Sequence, residues 1–319
     1  MVFGWFKKKK ADEPKAASPA PAVSKPAAPP PAPKPAAPKP QPAARAPVPQ
    51  VAPPSTPPAP TAAPPARPQA PWGPEQDGAA NQAIGALRNF LLTALKTERG
   101  IHAETLAVSA GALTGFAVIH AVFEAYLKRG RAQIGDAQAA STGKAIVEVK
   151  GKDGQTYFFG DLINSFLVAS PGPVSRPFFV WGYLAGIALN SGVPANELPD
   201  LNEMFQRAAS TVGGPEFGVP RMPENLKPVL TPRQAVERLW PAIRAGLSRT
   251  DWPGANGRAI DVEHWPIVCA IVAQQLMGQV KGVLDMKVAL RIVMESAIFM
   301  SKIDPRSVPQ EMPPAPAAT

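Results

Sequence analysis

The sequence predicts a mainly α protein: a single helical domain with one small β-hairpin, preceded by a disordered Pro/Ala-rich N-terminal tether. Three observations predict this. Residues 1–74 hold 24 of the 42 prolines in the 319-residue chain. Most of the remaining chain carries apolar residues at helical spacing. One stretch alone, residues 145–159, switches to a period of two around a glycine turn.

The charge divides at the same place as the proline. Residues 1–74 carry 10 Lys and Arg against 2 Asp and Glu, which is +8 of the formal net +9. The rest of the chain, with 23 against 22, is close to neutral. Residues 1–10, MVFGWFKKKK, form an aromatic-basic peptide. Residues 11–74 are dominated by proline, which removes backbone donors, and alanine, which offers little area to bury. An extended, polyproline-like linker is expected there. PxxP pieces such as Pro35–Pro38 arise by chance in such a tract. The globular domain is expected over 75–310, with a second disordered tail over 311–319.

Within the domain, Ile84, Leu87, Leu91, Leu92 and Leu95 make a helical stripe over 83–96. Residues 102–127 are the most apolar segment and contain Gly111 and Gly115 in a GxxxG. Two structures suit this segment: a membrane span, which needs about 20 apolar residues, and a buried core helix whose small residues admit another helix closely. His120, Glu124 and the many small residues favour the core helix. Ala145–Lys150 alternates, Gly151–Gly154 is a turn, and 155–159 resumes strand residues, which together make the hairpin. Asp161 is placed to N-cap a helix through Val168. Further helices are expected over 177–190, ended by Gly192, and over 198–211. Thr231-Pro-Arg-Gln234 opens another with a capping box, and Pro241 should kink or restart it. A final pair covers 265–280 and 286–300, the second capped by Asp285.

Chemistry is sparse. The single Cys269 lies in the apolar run 267–272 and reads as a buried thiol. One cysteine excludes an intramolecular disulfide and any cysteine-cluster metal site. No phosphate loop or dinucleotide fingerprint occurs: Ser141–Lys144 lacks the leading glycine, and Gly213–Gly218 lacks a lysine. His102-Ala-Glu104 echoes a zinc-deaminase fragment without its cysteines. His120 and Glu124, one turn apart, would need further metal ligands. Glu148 and Lys150, with Asp136 upstream, resemble part of a Mg²⁺ nuclease face, but one hairpin is too small a sheet for that fold. No cofactor and no metal is expected. Arg233, Arg238, Arg244 and Arg249 do not share one helix face, and the domain is near neutral, so specific nucleic-acid binding is not expected.

Three sets of residues remain as site candidates. Asp261, Glu263 and His264 cluster before the helix at Trp265, where a histidine can act as a base oriented by an acid. Their plainer reading is an acidic first turn on a helix dipole. Glu216, Phe217 and Arg221 sit in a proline-rich loop over 213–232, and long loops are often functional. The strongest signal is N-terminal. Val2, Phe3, Trp5 and Phe6 followed by Lys7, Lys8, Lys9 and Lys10 suit an anionic membrane surface, with rings in the interface and ammonium groups on phosphates. No apolar stretch follows the lysines, as a secretory signal would require, and Val2 stands where N-myristoylation needs glycine. The layout resembles that of bacterial envelope-associated cytoplasmic proteins.

The expected function is therefore a non-catalytic protein-interaction or scaffold domain. Its N-terminal peptide holds it at the inner membrane, on lipid or on a membrane protein, and the helical domain binds a protein partner or itself. The alternative is a soluble hydrolase-type enzyme using the acidic and histidine cluster around His264.

Overall fold

The computed structural model describes residues 70–140, 143–170 and 174–312. The anchor peptide, nearly all of the Pro/Ala-rich tether and the last seven residues lie outside the described residues.

The described chain is mainly α, as the spacing predicts, with a small sheet. In chain order it forms α1 (Pro74–Ala94), α2 (Ala103–Ala121), a π-helical continuation (Val122–Leu127), β1 (Gln133–Ile134), α3 (Ala137–Ala140), β2 (Ala145–Lys150) and β3 (Thr156–Phe159). There follow α4 (Asp161–Leu167), α5 (Val180–Asn190), α6 (Leu201–Ser210), α7 (Pro232–Leu247), α8 (Trp265–Val280) and α9 (Met286–Met300). Short 3₁₀ turns at Ala195–Glu197, Val262–His264 and Pro305–Ser307 join them.

α2 is the axis of the core. Every residue of it but Glu104 is buried. A helix apolar all round must be enclosed on all sides, and α4, α7, α8 and α9 pack around this one. Ala103–Leu127 is long and apolar enough to cross a membrane, yet 94% of its most apolar window is buried inside the protein. It is the core helix of this domain. The GxxxG explains how α9 comes so close. A Cβ at Gly111 would stand 2.1 Å from the Val293 carbonyl oxygen, and one at Gly115 1.9 Å from that of Ala297. Only glycine permits that approach.

The hairpin forms as predicted, β2 antiparallel to β3 with Val147 opposite Phe159 and Lys150 opposite Thr156. Gly154 takes φ +76° in the turn, a value that suits glycine. β1, too short to leave a period, adds a parallel pairing of Gln133 with Ala145 and Ile134 with Ile146. On the other edge, Ile303 pairs with Tyr157.

The capping box at Thr231 and Gln234 and the Asp285 cap both form. Three local expectations are corrected. Asp161 makes no cap bond, because Gly160, at φ +153°, takes the capping position and Asp161 becomes the first helical residue. α5 starts at Val180 rather than Pro177, since Phe179 is still extended. α7 runs through Pro241 without restarting. The bond the proline cannot donate is one among many, and Trp240 and Pro241 are both buried in the core. Core packing starts slightly before residue 75: Trp72 is buried, and its indole N–H donates to Asp77 Oδ1 at 3.0 Å.

Candidate functional site

Asp261, Glu263 and His264 do come together with other polar groups, but in two separate arrangements. The 3₁₀ turn Val262–His264 leads into α8 and faces the first turn of α1. There, buried Gln76 joins two of the three residues. Its Oε1 lies 3.1 Å from His264 Nδ1 and accepts from the Asp261 backbone N–H at 3.2 Å. Its Nε2 donates to Asp261 Oδ2 at 2.7 Å. A carboxamide oxygen only accepts, so Nδ1 carries the ring hydrogen and Nε2 the lone pair. The Trp72 ring meets the imidazole edge-on at 6.4 Å. Burial pulls the His264 pKa below its usual value, against the opposing fields of Asp261 and Glu263, which keeps the ring neutral at neutral pH. The Asp261 carboxylate thus addresses Gln76 and not the imidazole. Among the described residues no serine, threonine or cysteine hydrogen-bonds His264.

Glu263 turns the other way. Its Oε2 accepts from the Tyr126 hydroxyl at 2.8 Å, and Arg131 forms an ion pair with its other oxygen. Arg176 extends the chain of bonds. It donates to the Tyr126 oxygen and to Ser165 Oγ, the latter at 3.2 Å, and its guanidinium lies 3.5 Å from the Phe166 ring centre. Burial raises the Glu263 pKa, but the bonds from Tyr126 and Arg131 outweigh it and leave the carboxyl below its usual range. Burial raises the Tyr126 phenol. Glu263 is therefore an ionised clamp. It ties the end of the α2 extension and the loop before α5 to the start of α8.

The proline-rich loop is a second fastening. Glu216 is exposed. Phe217 packs edge-on between Tyr157 at 4.7 Å and Phe299 at 5.1 Å. Arg221 is bound to Glu295 of α9, with its backbone N–H 2.6 Å from Oε2 and its Nε 2.7 Å from Oε1, and it also pairs with Glu203. Arg207 adds a contact to Glu295 Oε2 at 3.3 Å and donates to the Val219 carbonyl at 2.9 Å. Glu295 is only 2% exposed. A carboxylate so buried needs this many donors, and they draw the loop onto α9.

The other sequence candidates stand apart from one another. Asp136 caps α3 through the Ala139 N–H at 2.8 Å. Glu148 and Lys150 lie side by side, 3.9 Å apart, on the exposed hairpin face. Glu124 pairs with Lys128 one turn on, and His102 lies 3.6 Å from Glu104. Among the described residues no group of three or more His, Cys, Asp or Glu is placed to hold a metal ion. His120 is buried between Trp265, stacked at 5.3 Å, and Trp240 at 5.1 Å. Burial lowers its pKa to about 4. Trp240 and Trp265 are thus packing residues, and Trp252 is held by its indole bond to the Gly246 carbonyl at 3.1 Å. Cys269 is buried beside a void of about 10 Å³ lined by aliphatic side chains, at the lower limit for even one water. A wider cleft of about 480 Å³ lies between the end of α5 and the α8–α9 turn, lined by Val193, Glu197, Lys281, Val283 and Lys287.

Several polar residues that decide these arrangements escaped the sequence reading. Gln76, Tyr126, Arg131 and Arg176 carry no local pattern pointing to their partners. Glu295 does leave a signal, the one charged residue in the second half of α9. Val2, Phe3, Trp5, Phe6 and Lys7–Lys10 lie outside the described residues. Comparison with known proteins finds no matching family model, no similar curated protein and no similar solved structure.

Proposed function

We propose that this chain is a non-catalytic interaction domain held at an anionic membrane surface, or at a membrane protein, by its first ten residues. The observation that carries this reading is the sequence Val2-Phe-Gly-Trp-Phe6 followed by Lys7–Lys10, set at the far end of a proline-alanine tether from a near-neutral domain. Among the described residues, core packing starts at Trp72. Each lysine near an anionic surface is worth about 1 kcal/mol. Four give about 4 kcal/mol, or roughly millimolar binding before the rings contribute. Such an anchor is reversible and works best when several copies are held together. The domain's own part is to bind a protein partner or a second copy.

The test is flotation with vesicles of phosphatidylcholine, with and without phosphatidylserine. The full chain should float with the anionic vesicles, and chains lacking residues 2–10 or carrying Lys7–Lys10→Gln should stay below. Equal flotation of all three would overturn the membrane reading. A second reading, a hydrolase at His264, has one observation in its favour: the bond from Nδ1 to Gln76 leaves the Nε2 lone pair for a proton. An ester hydrolysis that His264→Ala abolishes would establish it.

A further inference from the structure

The least expected side chain in the molecule is Lys302, just beyond α9. Lysine is almost never fully buried without a charged partner, yet Lys302 is 2% exposed. Its Nζ makes one hydrogen bond, to Asn164 Oδ1 of α4 at 2.7 Å. Two rings flank it, with Phe159 of β3 and Phe205 of α6 each centred 5.6 Å from Nζ. An ammonium group carries three donors, and this site answers one of them.

The backbone at this residue is a structural junction. The Lys302 carbonyl accepts from the Phe158 N–H at 2.7 Å, and Ile303 pairs with Tyr157 along the free edge of β3. The chain then runs back over the helices as a strap. Arg233 donates to the Ser307 carbonyl at 3.2 Å, and Trp240 Nε1 and Arg244 Nη1 both donate to Gln310 at 3.1 Å. Lys302 therefore sits where sheet, α4, α6 and strap meet.

We propose that Lys302 is a proton-operated latch, whose protonation loosens this seam and frees the sheet edge and the C-terminal strap from the helical body. The charged groups of the packed elements are otherwise engaged. On α6, Glu203 pairs with Arg221 and Arg207 with Glu295. On the strap, Asp304 pairs with Arg306, and on β2 Glu148 lies beside Lys150. On β3, the Tyr157 hydroxyl donates to Asp153. The group whose field reaches the amine is Asp161, at the start of α4, and burial raises the pKa of that carboxyl. Burial brings the Lys302 amine from 10.5 down to about 7, against the pull of Asp161. The closed seam thus holds a neutral amine above that value and binds fewer protons than the open one. Opening becomes easier as pH falls towards 7.

Hydrogen exchange of the full chain at pH 6.0 and 8.5, corrected for intrinsic rates, tests the latch. With the closed amine near 7 and the open one near 10.5, the opening constant should be roughly 30-fold larger at pH 6.0. Residues 156–167 and 299–310 should show that loss of protection while α8 does not. Lys302→Met, which fills the site without titrating, should remove the difference. A change below about tenfold in the wild type overturns the latch, and so does a pH dependence that survives in Lys302→Met. If that variant does not fold, the wild-type profile still decides.

Discussion

Replacing Gly115 by alanine tests whether the domain depends on backbone-to-backbone contact between α2 and α9. The new Cβ would stand 1.9 Å from the Ala297 carbonyl oxygen, where real contacts are no closer than 3.0 Å. The two helices would have to part by about 1 Å. A gap of that size forfeits a quarter to a half of each dispersion contact across the seam, and overpacked cores typically lose about 1–3 kcal/mol. The obstructing atom is a main-chain oxygen, so no side chain can rotate aside and no truncation on α9 gives relief. Against this, alanine returns about 1 kcal/mol of helix propensity over glycine. The net should be a loss of about 1 kcal/mol, and at most about 2 kcal/mol. Gly85→Ala in α1 is the control, since its Cβ would meet nothing within 4 Å, and it should gain about 0.5–1 kcal/mol. Urea unfolding followed by tryptophan fluorescence measures both. A Gly115→Ala protein as stable as Gly85→Ala would refute the close crossing.

Three further outcomes are expected. Glu295→Ala strands Arg207 and Arg221 in a half-buried site, a loss of about 3–5 kcal/mol, and limited proteolysis should then cut within 213–231. His120, lowered to about 4 by burial, binds fewer protons folded than unfolded between that value and 6.5. Its contribution is therefore complete above pH 6.5 and declines by up to about 3 kcal/mol as pH falls to 4, a slope that His120→Phe should flatten in urea titrations at pH 7.0 and 4.5. The Cys269 thiol, pushed up to about 12 by burial, should react with a thiol reagent only after denaturant is added. Rapid labelling of the folded chain would contradict its position in α8.

Elements set by neighbours in sequence were legible. The hairpin follows from alternation over 145–150 and a glycine turn, and the starts of α7 and α9 follow from Thr231 and Asp285. The GxxxG announced a close helix crossing, though not which helix would make it. What escaped depends on partners far along the chain. Gln76 meets Asp261 and His264 across more than 180 residues. Tyr126 meets Glu263 across 137 residues and Arg221 meets Glu295 across 74. Each such pair forms only because packed helices bring the two ends together, and a polar residue carries no local mark of that.

By itself, the sequence determined the division into a basic, proline-rich first 74 residues and a near-neutral remainder with helical spacing, because composition and periodicity are local properties of the chain. Tertiary structure alone decided that residues 103–127 are a core axis, since a helix apolar on every face is enclosed either by lipid or by other helices, and only the packing of α4, α7, α8 and α9 chooses between them. It alone also put Glu263 and His264 to separate uses and drove the Lys302 amine into the interior, where burial, not residue type, sets the charge.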